Sequence, residues 1–347
     1  KLHHKNADEI VDLWRRQNHQ VHENSDQNHD ILVVFEKIYN MMYEGSILNN
    51  GKLISGVTLK TYVTVLHVLN SFNKPLNFKE IDEGKYTNLG ERLKARQTLK
   101  KWFDEFILFS IELKYHPTTR RNQIKIIKSI INKACDVYGY IIKTPSKPPK
   151  LRTPVISLTP QQVETIHKNK PKDVELECVW YYTRFLLHSC MRISDAWEFI
   201  MPNTKGHVTY INRKTGSQST FYLPEDVHEY IYKNPMASAV VKKTFRKQLV
   251  VLLKTYPELR KNKVVHDYDH TGKLVVEEKP IYKIITPHKL RSSGITWYLY
   301  LGYTEKQVRE ISGHINGSTA FYRYTDITDS KTREKHAREI DSMLKLN

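Results

Sequence analysis

The sequence predicts a mainly α-helical protein with a small antiparallel β-sheet, organised as two domains. Three observations lead there. Apolar residues recur at helical spacing on both sides of the middle of the chain. One stretch, HVTYINRKTGSQSTFYLPE, alternates around a KTGS turn and reads as a β-hairpin. Between the halves, KTPSKPPKLRTPVISLTPQQ (143–162) is crowded with prolines and basic residues and has neither period. Proline favours extended backbone and removes donors, so this stretch reads as an ordered or semi-rigid linker. A chain of 347 residues can bury two separate cores.

Taken in order, residues 1–25 form a polar lead rich in His, Asn and Asp. The chain opens on Lys1 rather than Met, so the lead is expected to be the remnant of a longer N-terminus. Residues 26–142 are expected to form an all-helical domain. Within it, GVTLKTYVTVLHVLNSF and HPTTRRNQIKIIKSIINKACDVYGYII each open on Thr cap candidates, and ERLKARQTLKKWFDEFILFSIELKY lies between them. After a linker at 143–156, a second domain is expected over 157–328. It starts with Thr159 as N-cap, Pro160 at the first helical position and Gln162 closing a capping box. CVWYYTRFLLHSCMRISDAWEF reads as two helices meeting near Cys190. The hairpin follows, and helices are expected for most of the remainder. A tail helix is expected at 329–347.

Composition narrows the partner. With 55 Lys and Arg against 37 Asp and Glu, the formal charge is +18. Mean hydropathy is −0.56 and no apolar run approaches the ~20 residues of a membrane span. A polyanion is the natural partner, because cations on phosphates release condensed counterions. Cys135, Cys178 and Cys190 lack CxxC spacing and read as buried reduced thiols of a cytosolic protein.

The chemistry concentrates in ITPHKLRSSGITWYLYLGYTEKQVREISGH. Thr286 and Pro287 start a helix, which sets His288 and Arg291 on one face near its N-terminus, an end that favours anions. Gly302 ends that helix, Thr304 and Gln307 box the next, and Gly313 ends it, leaving His314 on the following turn. Two further cations precede them. Arg192 follows an apolar helix and is expected to be buried by its neighbours' pattern, so it either pairs with Asp195 or awaits a phosphate. Lys214, at the hairpin tip, is either solvated or a reaching lysine. No DxD, paired acidic residues or HExxH suggests a catalytic metal, and no cofactor is expected. Guanidinium forks can hold non-bridging phosphate oxygens, a lysine can protonate a leaving 5′ oxygen, and imidazoles can take or hold protons. A phenol, with a pKa of ~10, reacts more readily beside two arginines.

These motifs, in this order, resemble those of the tyrosine recombinases, or phage integrases: CMRISD (Arg192), RKTG (Lys214), HKLR (His288, Arg291) and SGH (His314), followed by FYRYTDIT. The 23-residue step from Arg291 to His314, with Gly302 between, also resembles the family's. The core-binding segment and the SGH…FYRYTDIT ending look most like integrases of Bacteroidota mobile elements. The resemblance implies a helical SAM-like core-binding domain ahead of a mixed α/β catalytic domain. It also implies a site of Arg192, Lys214, His288, Arg291 and His314, with Asp195 in support. Lys60, Thr118, Arg120, Arg121, Lys125 and Lys289 are the implied DNA contacts. The nucleophile is Tyr324 or Tyr322, which lie ten and eight residues after His314. The family's aromatic-x-basic-Tyr-x-x-hydrophobic-Thr pattern favours Tyr324, with Tyr322 as second candidate. SGH in place of LGH is a departure from the pattern.

The implied activity is site-specific recombination through a 3′-phosphotyrosine, without metal or ATP, by a homotetramer on inverted-repeat double-stranded DNA. Accessory DNA-bending or directionality factors, a tail helix exchanged between protomers and a cytoplasmic, nucleoid-associated location belong to the same implication. Competing readings are a type IB topoisomerase, a hairpin telomere resolvase, and a DNA-binding protein without catalysis.

Overall fold

The computed structural model describes residues 29–49, 51–151, 153–203, 206–236 and 239–315 together with Phe321 and Tyr324, residues 239–241 by backbone alone. The expected lead at 1–25, the tail helix at 329–347 and Tyr322 lie outside the described residues. The chain divides into two compact units, Lys1–Arg152 with Asp267–Val275 and Thr153–His266 with Val276–Asn347.

The first unit is helical. Helix α1 (Ile31–Tyr43) is capped by Asp30, which accepts from Leu32 N. Helix α2 (Gly56–Phe72) ends on Asn73 in the left-handed conformation, φ 47°. Helices α3 (Leu89–Glu112) and α4 (Pro117–Tyr138) complete the set, and Gly139 at φ 74° stops the latter. The caps differ from the sequence expectation. Ser55, not a threonine, caps α2 by accepting from Thr58 N, and His116 caps α4 by accepting from Thr118 N. In both cases the threonine is the amide that needs a partner rather than the group that supplies one. One stripe of each helix faces a common core that includes Phe35, Ile38, Leu69, Phe106, Ile127 and Ile131. Burying a side chain of this size contributes ~1.5–3 kcal/mol before ordering costs.

The second unit begins with α5 (Pro160–Lys168), where Thr159 and Gln162 form the expected capping box. Helix α6 (Glu177–Ser189) stops at Cys190, φ 48°, before a single helical turn at Ile193–Ala196. The hairpin follows as β1 (His207–Ile211) and β2 (Gln218–Tyr222), antiparallel with Val208 opposite Phe221 and Tyr210 opposite Ser219. Those four residues are buried, whereas Ile211 and Tyr222 face outward, as the two-residue period requires. Helices α7 (Glu225–Lys233) and α8 (Ala239–Thr255) come next.

A second hairpin, β3 (Asn262–Tyr268) and β4 (Leu274–Pro280), occupies ground where the sequence reading expected helices. Its signal was in VVHDYDHTGKLVV, β-branched and aromatic residues around a tight turn. Asp269 Oδ1 accepts from the amides of Thr271, Gly272 and Lys273, and Gly272 takes φ 96°. Helices α9 (Pro287–Tyr300) and α10 (Glu305–Ser312) follow, the latter opened by the Thr304–Gln307 capping box and closed by Gly313.

Helices α6 and α9 approach unusually closely. A Cβ on Gly294 would fall 2.2 Å from the Leu187 carbonyl oxygen and 2.8 Å from Cys190 Sγ, so only glycine fits. This contact sets the α6 C-terminus beside the middle of α9. No described helix is long and apolar enough to cross a membrane.

Candidate active site

Four local devices bring distant residues together. The left-handed Cys190 ends α6 and turns the chain so that Arg192 opens the following helical turn. Pro287 starts α9 and sets His288, Lys289 and Arg291 in its first turns. Gly313 stops α10 and leaves His314 just beyond it. A turn at Phe321 carries Tyr324, whose amide donates to the Phe321 carbonyl at 2.9 Å.

Arg192, His288, Lys289, Arg291, Ser292, His314 and Tyr324 line one cavity of about 350 Å³. Thr153, Pro154 and Val155, from the stretch read as linker, form part of its wall. The sequence reading expected Arg192 to be the buried arginine. The structure reverses this, since Arg192 is 21% exposed at its side chain and Arg291 is 2% exposed. Arg291 donates from one nitrogen to the Cys190 carbonyl and from Nη2 to the Ser312 carbonyl at 2.7 Å. Two carbonyls from different elements therefore anchor the fork.

Both readings offered for Arg192 hold part of the geometry. Its Nη1 lies 3.7 Å from Asp195 Oδ2, an ion pair with a buried carboxylate. The same nitrogen donates to Asn212 Oδ1 at 3.1 Å, and the side chain still lines the cavity. Asn212 was missed by the sequence reading, although it directly precedes the RKTG turn. It is fully buried and saturated: Oδ1 also accepts from Tyr210 at 2.9 Å, while Nδ2 donates to Ser219 Oγ at 2.7 Å and the Ser217 carbonyl at 2.9 Å. Ser217 in turn donates to the Gly313 carbonyl at 2.9 Å. The hairpin base thus ties Arg192 to the end of α10.

Lys214 is exposed on the β1–β2 turn and does not line the cavity, yet its charge acts on His288. His288 is pushed below its ordinary pKa by desolvation and then by Arg291, Lys289, Arg192 and Lys214. His314 is lowered to about 3 by desolvation, with Arg291, Arg192 and Arg309 adding to it. It is therefore neutral at ordinary pH. Its ring stands 6.1 Å, centroid to centroid, from that of Tyr324, and Arg291 Nη2 lies 3.5 Å from both ring nitrogens. Ser312 was also missed as a contributor. Its hydroxyl is 2.7 Å from His314 Nδ1, and the departure of SGH from LGH was its signal.

Among the implied DNA contacts, Lys60 on α2 and Thr118 and Lys125 on α4 are exposed. Arg121 donates to the Pro148 carbonyl at 3.0 Å. Arg120 departs from the expectation of a phosphate-facing cation. It is 9% exposed, and its Nη1 donates to the His270 carbonyl at 2.8 Å within the first unit. Of the three thiols only Cys190 is fully buried, its pKa pushed up to about 12 by that burial; Cys135 and Cys178 are half-buried. Among the described residues no cluster of three His, Cys, Asp or Glu side chains offers a metal site.

Such a cavity can do specific chemistry. Two guanidiniums converge on it, one of them desolvated and held by carbonyls rather than by a carboxylate. A buried cation without a full counter-charge favours an anion, and paired forks match a tetrahedral phosphate. The neutral imidazole and the phenol stand at the same place.

Comparison with known proteins bears on the family and the fold. The model of the phage integrase family matches residues 157–331. The Tn1549 transposon integrase in complex with transposon right end DNA superposes with a TM-score of 0.54 at 15% identity, over 88% of this chain and 99% of that one. A lambda integrase dimer bound to a COC′ core site gives 0.52 at 13% identity, over 85% and 95%. A lambda integrase tetramer bound to a Holliday junction gives 0.51 at 14% identity, over 91% and 85%. These likenesses concern the fold. No curated protein matches the chain in sequence.

Proposed function

The chain belongs to the phage integrase family of site-specific tyrosine recombinases, and from that premise we propose that it recombines mobile-element DNA through a phosphotyrosine formed on Tyr324. The observation that carries this reading is the single cavity shared by Arg192, His288, Arg291, His314 and Tyr324.

A backbone phosphodiester enters between Arg192 and Arg291, whose N–H groups hold its non-bridging oxygens and the charge that grows on them. The Tyr324 phenol gives its proton to His314 as its oxygen attacks phosphorus. The bond from phosphorus to the 5′ oxygen breaks, and that oxygen leaves with a proton from Lys214 on the turn of the β1–β2 hairpin. A 3′-phosphotyrosine results. Because an aryl phosphodiester conserves the bond energy, a 5′ hydroxyl from another strand reverses the step and completes the exchange. Asp195 and Asn212 hold Arg192 in place.

Under the same proposal, residues 26–142 form the core-binding domain, 143–156 the linker and 157–328 the catalytic domain. Lys60, Thr118 and Lys125 contact the DNA backbone from the first and Lys289 from the last, while Arg120 and Arg121 are held by the carbonyls of His270 and Pro148. The partner is double-stranded DNA with inverted core sites, on which four copies assemble. The DNA-bound state of the similar Tn1549 and lambda proteins, one of them a tetramer, supports this part of the reading.

The test uses a nicked half-site carrying the sequence that the chain enriches from a pool of random duplexes, incubated in EDTA and run on a denaturing gel. Wild type is expected to give a covalent band that Tyr324→Phe loses and Tyr322→Phe keeps. A band lost only in Tyr322→Phe moves the nucleophile. No band in any lane, with DNA bound, favours the non-catalytic reading.

A further inference from the structure

The Ser312 hydroxyl is completely buried between two partners. It lies 2.6 Å from the Val308 carbonyl oxygen and 2.7 Å from His314 Nδ1. A hydroxyl has one proton to give, and a carbonyl oxygen can only accept. Two oxygens at 2.6 Å without a proton between them would repel, since this is already at the short end for an O–H···O bond. The proton therefore lies toward Val308. The contact at 2.7 Å must then be donated by the imidazole, from Nδ1–H into a lone pair of the serine oxygen. Arg291 Nη2 does not decide the assignment, since it is 3.5 Å from both ring nitrogens and favours neither.

We propose that Ser312 is a positioning residue that holds His314 as its Nδ1–H tautomer, leaving the Nε2 lone pair free to accept the proton of the attacking tyrosine. This rests on the recombinase reading above for its consequence, but not for the tautomer itself. An imidazole left to itself prefers the Nε2–H form, which would present a donor where the reaction needs an acceptor. The step balances simply. The phenol O–H bond breaks, its proton and the Nε2 lone pair form N–H, and the imidazole becomes a cation. Arg291, Arg192 and Arg309 oppose that cation in the free protein. A phosphodiester held by Arg192 and Arg291 brings negative charge that offsets them, so the base gains strength when substrate is in place.

The position also explains how the device is built. Ser312 is the last residue of α10, and its carbonyl accepts from Arg291 Nη2 at 2.7 Å. One residue thus holds both the arginine, through its backbone, and the histidine, through its side chain. A leucine there would keep the first contact and lose the second.

The experiment reads the tautomer directly. Protein labelled with ¹⁵N at histidine is examined by long-range ¹H–¹⁵N correlation at neutral pH, with His314 assigned by its loss in His314→Gln. Wild type is expected to show Nδ1 protonated and Nε2 bare, and Ser312→Ala to shift toward the Nε2–H form. In single-turnover cleavage of the nicked half-site, Ser312→Ala is expected to slow phosphotyrosine formation about ten- to a hundredfold, with DNA affinity unchanged. Ser312→Thr, which restores the hydroxyl, is expected to recover both the tautomer and the rate. A wild-type Nε2–H pattern, or a tautomer indifferent to Ser312→Ala, overturns the proposal without any need for activity. Absence of a covalent complex in wild type overturns the recombinase reading and leaves the tautomer to be decided by the spectrum.

Discussion

Replacing Gly313 by alanine tests how the hairpin, the arginine and the histidine are held together. Gly313 stops α10 at φ 64°, a conformation that costs an alanine ~1–2 kcal/mol. Its new Cβ would fall 2.0 Å from Asn212 Nδ2, 2.4 Å from Ser219 Oγ and 2.7 Å from Asn212 Cγ. Both neighbours are buried, so neither can swing into solvent. Overpacking of this kind costs a further ~1–3 kcal/mol, and each displaced hydrogen bond of Asn212 adds ~1 kcal/mol. With one such bond displaced, the total expected loss is about 3–6 kcal/mol. Gly302→Ala is the control, because Gly302 sits at φ 89° with nothing within 4 Å of an added Cβ. It should lose only the conformational part. The assay is urea unfolding of both variants by tryptophan fluorescence, beside single-turnover cleavage. Gly313→Ala should also slow cleavage, since Asn212 can no longer hold Arg192, whereas Gly302→Ala should cleave normally. If the two variants differ by less than ~0.5 kcal/mol, the close approach of hairpin and helix end is not what the geometry says.

Three other outcomes are expected. Arg291→Lys should fold but lose at least about a hundredfold in cleavage, because one ammonium cannot reach the Cys190 and Ser312 carbonyls and still face a phosphate; near-normal cleavage would show the fork to be dispensable. His167 is held at about 4 by burial and by Arg184, against the opposing charge of Asp226, and its neighbour His188 is lowered by burial, His167 and Arg184. Both stay neutral in the fold while the unfolded chain takes up protons below ~6.5, so stability should fall between pH 6.5 and 4, by up to about 3 kcal/mol from His167; urea midpoints in His167→Phe should slope less over that range, and an equal slope would refute the assignment. Finally, mixing Tyr324→Phe with Arg192→Ala should give no covalent complex, since one chain supplies the whole cavity; recovery of the band would mean that the tyrosine acts in another copy's site.

Local signals made much of this legible. The capping boxes at Thr159 and Thr304, the glycine stops at Gly302 and Gly313, and the alternating strands around Lys214 depend on neighbours in the chain, and they appear where the sequence puts them. The caps of α2 and α4 were misassigned by a few residues, because Ser, Thr and His near a helix start can each play donor or acceptor. The β3–β4 hairpin was passed over, because its alternation is short and its apolar residues Val264, Leu274 and Val276 are exposed rather than turned to a core. The order of the motifs likewise carried the family, since the identity of a side chain suffices to name what chemistry it can do.

The tertiary structure decided which of those side chains share a space, and in what state. That Arg291 rather than Arg192 is the buried cation depends on the glycine-tight contact of α6 with α9, made across more than a hundred residues of chain. That Arg120 turns inward depends on a carbonyl at His270. The roles of Asn212 and Ser312 follow from distances of 3.1 and 2.7 Å that no spacing in the sequence encodes. Residue types and helix boundaries are fixed by short-range sterics and hydrogen bonding, so one sequence can be read for them. Burial, protonation and tautomer depend on what the rest of the fold brings alongside, and for those the chain had to be seen folded.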